Sequence, residues 1–130
     1  GLIGDLITDI SGSSAYFLGS AVTYSDNAKQ RLLGVHATTL AAHGAVSATT
    51  AAEMAQGARQ IYGADIAASV TGIAGPTGAT PGKPVGLVYI HLSAEGAEWG
   101  ERHQWDADRI GNKVLAAEAV FRLLLRYLSG

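Results

Sequence analysis

Tyr24 and Lys29 stand five residues apart in Tyr24-Ser25-Asp26-Asn27-Ala28-Lys29. If Tyr24 ends an extended segment and Lys29 lies on the first turn of a helix, their polar ends converge. Such a pair makes a base when the ammonium lowers the phenol pKa, or when burial lowers the lysine pKa. It would serve to activate a serine hydroxyl, a poor nucleophile at its own pKa. A surface tyrosine beside a solvated lysine satisfies the same spacing. A second candidate is the run Thr71-Gly72-Ile73-Ala74-Gly75-Pro76-Thr77-Gly78. Its glycines let backbone N–H groups approach a phosphate or an oxyanion closely. The run meets neither the P-loop pattern G-x-x-x-x-G-K-S/T nor the dinucleotide pattern G-x-G-x-x-G, and an ordinary long turn has the same composition. Lys83, just before the strongest strand, either reaches a ligand phosphate or is solvated. Arg109 sits at the positive end of the last helix, a poor place for a cation. There it pairs with Asp106 and Asp108, or presents its fork to a phosphate or carboxylate. His36, His43, His91 and His103 show no i, i+4 spacing and no metal site is expected. Ser13 and Ser14 lack a His–Asp partner pattern and read as turn residues.

The elements that must position these groups are legible as periodicity and punctuation. Leu2, Ile3, Leu6, Ile7 and Ile10 fall at helical spacing. Residues 11–14 are a turn cluster, and 21–24 read as a short strand. Ser25, Asp26 and Asn27 offer caps for a helix over 28–33 that Gly34 ends. A short helical piece over 38–43 stops at Gly44. Ser47 caps a helix over 49–62 that Gly63 closes. Residues 65–70, small and without clean alternation, read as a central strand buried on both faces. The 14-residue segment 71–84 is a loop of the length usually reserved for function. Residues 85–92 form a strong strand and 98–105 its returning hairpin partner. Asp106 caps a last helix to Leu128, with Ile110, Val114, Ala117, Phe121, Leu124 and Leu128 as its apolar stripe. The order predicts an α/β domain, a three-layer α/β/α sandwich with a mixed β-sheet.

Composition bounds the rest. The 130 residues are the size of one domain, with 48 % apolar and 15 % charged residues. A chain of this kind offsets its ordering entropy by burial, so disorder is not expected. Net charge is -2, which argues against a nucleic-acid face, since that needs clustered Lys and Arg. Cysteine is absent, so within this chain there is no thiol nucleophile or disulfide. No apolar run approaches the ~20 residues of a membrane span. No membrane association is expected, and a cytoplasmic location is the default.

Taken together, the segments GSSAYF (12–17), VTYSDNAK (22–29), LLGV (32–35), HGAVS (43–47) and DIAASVTGIAGPTGATPGKPVGLVYI (65–90) resemble the CinA C-terminal domain, the nicotinamide-nucleotide amidase family. The resemblance covers nearly the whole chain in order. It implies one domain over 1–130 and hydrolysis of nicotinamide mononucleotide to nicotinic acid mononucleotide and ammonia, in bacterial pyridine nucleotide recycling. It implies no metal or organic cofactor, a small nucleotide as the binding partner, and a homo-oligomer. The family's nucleophile is the serine of a Glu-Ser-Cys-Thr-Gly-Gly motif whose last glycine matches Gly1. The serine and its strand are thus expected before the first residue here. By position, Tyr24 and Lys29 match the residues that activate that serine. Thr71, Gly72, Ile73, Ala74 and Gly75 match the substrate-lining loop, and Arg109 an arginine that holds substrate. Two departures are visible: Gly78-Ala79-Thr80-Pro81 stands for the usual Gly-Gly-Thr-Pro, and Asn112 stands where a second basic residue is common. The rival expectation is a non-catalytic nucleotide-binding domain associated with competence or DNA damage. An interaction module that oligomerises through the last helix is a third.

If the nucleophile lies before Gly1, these 130 residues by themselves release no ammonia from nicotinamide mononucleotide. Saturable release by this chain alone would refute that assignment of the nucleophile.

Overall fold

The structure is a computed structural model and describes residues 1–130. In chain order it contains α1 (Leu2–Thr8), a 3-10 turn (Ser13–Ala15), α2 (Asp26–Leu33), α3 (Ala37–His43), α4 (Ala48–Tyr62), β1 (Ile66–Gly72), β2 (Leu87–Ala94), β3 (Ala97–Gln104) and α5 (Arg109–Ser129). The expected α/β class and its layering are present. α4 covers one face of the sheet and α5 the other.

The sheet order is β1-β2-β3, with both pairings antiparallel. A mixed sheet with 65–70 at its centre was expected. Instead β2 is central, and β1 pairs on one side only. Residues 21–24 take no strand assignment. An isolated extended segment has no ladder to join, so apolar β-formers alone do not make it a strand. The register pairs Val70 with Ile90 and Ser69 with His91. Because side chains alternate across a strand, even-numbered residues of β1 and β2 face α5 and odd-numbered ones face α4.

The two faces differ in chemistry. Toward α5, Val88, Ile90, Leu92 and Ala94 meet Ala116, Ala119, Val120 and Leu123 in one apolar cluster. Leu92 and Leu123 are fully buried, each contributing about 1.5–3 kcal/mol relative to exposure. Toward α4 the contacts are polar. The Ser69 hydroxyl donates to Ala51 O at 2.6 Å. The Glu98 carboxylate receives the Ser93 hydroxyl at 2.7 Å and the Gln56 amide at 2.9 Å, and lies 2.9 Å from His91 Nε2. Burial pushes the Glu98 pKa up, but hydrogen bonds from Gln56, Ser93 and His91 outweigh it, and the net shift is downward.

The stripe expected on α5 packs only in part: Ala117 is buried and Leu124 packs against the apolar cluster. Ile110, Val114 and Leu128 are 64, 43 and 67 % exposed. The helix is apolar around much of its circumference. The face with Ala116 and Ala119 meets the sheet because small side chains let the axis come close. Asp108, rather than Asp106, is the cap, its carboxylate accepting from Gly111 N at 2.7 Å. The α4 cap is as expected: Ser47 Oγ accepts from Thr50 N at 3.0 Å.

α2, which carries Lys29, rests on α4 at Gly57, where a Cβ would overlap the Leu33 carbonyl. Neither backbone can yield cheaply, so Gly57→Ala is expected to cost about 1–3 kcal/mol, as overpacking does. Chemical denaturation measures it; an unchanged midpoint would mean that α2 is not seated there.

Candidate active site

Ser25 Oγ accepts from Ala28 N at 3.0 Å and starts α2. Gly34, at φ 70°, ends it. The first turn carries Lys29 inward, leaving it 6 % exposed, with Nζ donating to Thr23 O at 2.7 Å. Burial lowers the Lys29 pKa from the ordinary lysine value, against an opposing pull from Asp26. Thr23 is the neighbour of Tyr24, so one carbonyl anchors the ammonium beside the tyrosine's backbone. The Tyr24 ring itself is 83 % exposed.

Arg109, the first residue of α5, brings the pieces together. Its Nη1 donates to Gly75 O at 2.9 Å and its Nη2 to the Tyr24 hydroxyl at 3.3 Å. The alternative of pairing with Asp106 or Asp108 is not taken, since neither carboxylate lies within salt-bridge distance of it. A cleft of about 470 Å³ opens here. Ala74, Pro76 and Val85 form one wall and residues 107–110 the other. That volume is in the range of small-molecule sites.

The loop forming the first wall is held at many points. Ile73 N donates to Leu87 O at 2.9 Å and Gly86 N to Ile73 O at 2.7 Å. Asn112 Nδ2 donates to Ala74 O at 3.0 Å. Thr80 and Lys83 form an isolated bridge. The Lys83 ammonium donates to His43 O, so it is tethered across the loop rather than simply solvated. Gly75 takes φ 87°, and a Cβ there would run into Val85, so only glycine fits. With Ala74 O and Gly75 O engaged, the N–H groups of these two residues find no acceptor in the chain. Free amides beside a guanidinium suit an anionic ligand atom.

Of the residues singled out from sequence, Arg109 touches both Tyr24 and Gly75, and Ala74 and Arg109 border the cleft. The expected meeting of the Lys29 and Tyr24 polar ends is not seen: the ammonium donates to Thr23 O and the Tyr24 hydroxyl is met by Arg109. Thr71, Gly72 and Ile73 stand behind the wall. The Thr71 hydroxyl faces α4 and donates to Ala45 O at 2.7 Å, while Gly72 is the close approach of β1 to β2. Asn112 was read only as a missing basic residue, yet it is 1 % exposed and one of the main tethers. Its spacing of four and seven from Ala116 and Ala119 would have put it on the packed face. No three His, Asp or Glu side chains converge as metal ligands, and no helix is long and apolar enough to cross a membrane.

The CinA C-terminal domain family model matches residues 1–128. A CinA-like protein of Salinibacter ruber is 46 % identical over 129 residues, covering 99 % of this chain and 31 % of its own length. One of Geobacter metallireducens is 51 % identical over 131 residues, covering 99 and 32 %. The chain thus spans about a third of the curated relatives it matches. Among solved structures, the competence damage-inducible protein A of Klebsiella pneumoniae superposes with a TM-score of 0.95 at 32 % identity, covering 99 % of this chain and 80 % of that one. The competence/damage inducible protein CihA of Agrobacterium tumefaciens gives 0.90 at 38 %, covering 95 and 79 %.

Proposed function

This chain belongs to the CinA C-terminal domain family, and from that premise we propose that it supplies the active site of a nicotinamide-nucleotide amidase. The observation that carries the reading is the meeting of three separate segments at Arg109, which borders the cleft. Arg109 spans the Tyr24 hydroxyl and the Gly75 carbonyl, and the buried Lys29 donates to the carbonyl of Thr23, the residue before Tyr24.

In this reading the attacking hydroxyl belongs to the family's serine motif, ahead of Gly1. Lys29, whose pKa burial lowers, takes the serine proton, with Tyr24 as the relay at the cleft side. The serine oxygen bonds to the carboxamide carbon of nicotinamide mononucleotide. The C–N bond breaks, and the nitrogen leaves as ammonia with the proton returned to it. Water then hydrolyses the acyl-enzyme, giving nicotinic acid mononucleotide and restoring the serine. The unpaired N–H groups at Ala74 and Gly75 receive the oxyanion; one such donor is worth about 2.7–4 kcal/mol. The Arg109 guanidinium offers its remaining N–H groups to the anionic part of the nucleotide. Thr71, Gly72 and Ile73 set the position of the loop that lines the substrate.

The test is ammonia release from nicotinamide mononucleotide by the complete gene product, beside Lys29→Ala. Release by the parent and a loss of about 10³-fold or more in the variant is the expected result. No release by the folded parent sinks the reading and leaves nucleotide binding without catalysis. The parent's rate should rise with pH as Lys29 loses its proton, at a pKa below the ~10.4 of a free lysine. The same shift has a stability sign. The folded state gives up this proton before the unfolded state does. Stability from Lys29 therefore rises with pH between the two pKa values.

A further inference from the structure

Asn112 lies four residues into α5, is 1 % exposed and has its amide fully used. Nδ2 donates to Ala74 O and to Ala107 O, each at 3.0 Å, and Oδ1 accepts from Ala107 N at 3.2 Å. One planar group therefore joins the glycine-rich loop to the turn that leads into α5. Arg109, three residues earlier on the same helix, takes the next loop carbonyl, Gly75 O.

The consequence follows from peptide geometry. The carbonyl of Ala74 and the N–H of Gly75 belong to one rigid planar unit and point in opposite directions. Drawing Ala74 O onto Asn112 turns Gly75 N–H away from the Asn112 amide. That N–H has no acceptor in the chain. Gly75 itself is confined by its positive φ and by Val85. We infer that Asn112 is a positioning residue: it locks the Ala74–Gly75 peptide plane and so aims the Gly75 N–H at the oxygen that becomes anionic during amide hydrolysis. The inference rests on the amidase reading for its chemistry, but the tether is testable without it. A basic side chain at 112 would bring charge, but no acceptor for Ala107 N. The asparagine serves both halves of the joint.

Asn112→Asp is nearly isosteric. It keeps an oxygen for Ala107 N and sets a second oxygen against two carbonyls. Asn112→Ala removes the tether without adding charge. In the complete gene product, each variant is compared with the parent for kcat and KM and for amide hydrogen exchange at Ile73 and Gly86, the hydrogen-bonded amides at the two ends of the loop, and in the core of α5. The expected result is a kcat lower by about 100-fold, the scale of a roughly 1 Å misplacement. KM should stay within about threefold. Exchange should quicken at Ile73 and Gly86 while the core of α5 stays protected. A purely structural role would instead lower the folded fraction and leave kcat per folded molecule unchanged. That outcome, or unchanged loop exchange in a folded variant, overturns the inference. If Asn112→Asp unfolds, Asn112→Ala decides by the same readouts. If the parent releases no ammonia, the amidase reading fails and the oxyanion role with it. Loop exchange then judges the tether alone.

Discussion

Backbone carbonyls in irregular segments need donors once they leave water, and that constraint organises the cleft end of this domain. Five carbonyls, in two separate consecutive runs, show how it is met. His43 O, Gly44 O and Ala45 O are claimed by Lys83, Thr50 and Thr71 respectively. Ala74 O and Gly75 O are claimed by Asn112 and Arg109. Each donor comes from a different part of the chain than its acceptor. Two irregular segments with little apolar content are therefore fixed relative to α4, β1 and α5 by directional bonds, each worth about 0.5–1.5 kcal/mol net, more for the charged donors. Without them, the loop between β1 and β2 would keep only its own turns.

The second organising feature is the burial of a single ammonium. Lys29 is set inward by the phase of α2, and α2 is set by its contact with Gly57. Burying the charge costs stability, and one hydrogen bond to Thr23 O offsets part of it. The same burial makes the lysine a better base at lower pH. Stability and chemistry thus pull on this residue in opposite directions, as perturbed groups at functional sites often do.

Most local structure was legible in the residues. Ser25, Ser47, Gly34 and Gly63 mark helix ends where they were expected, because a cap is decided by its own few neighbours. Tyr24, Lys29 and Arg109 were named through the resemblance; in the structure Arg109 borders the cleft and meets the Tyr24 hydroxyl, while the Lys29 ammonium is held on Thr23 O. What was not legible depends on distant partners. The bonds from Lys83, Arg109 and Asn112 span 34 to 40 residues, and no short pattern encodes them. The α5 stripe was legible only in part, at Ala117 and Leu124, because a helix apolar around much of its circumference offers two acceptable faces, and the fit of Ala116 and Ala119 to the sheet chooses between them. The strand read at 21–24 failed for a similar reason: pairing is a property of two segments.

The unlike faces of the sheet also determine how the domain yields under load. α4 is joined to the sheet by oriented bonds at Ser69 and Glu98, so a shift along its axis breaks them outright. α5 rests on an apolar surface, where dispersion contacts trade places with little directional penalty. The directional bonds of α5 lie toward its two ends, from Arg109 and Asn112 to the loop and from Arg126 to Glu101. A displacement of α5 is therefore felt first at the mouth of the cleft, while Lys29, seated through α2 on α4, keeps its place.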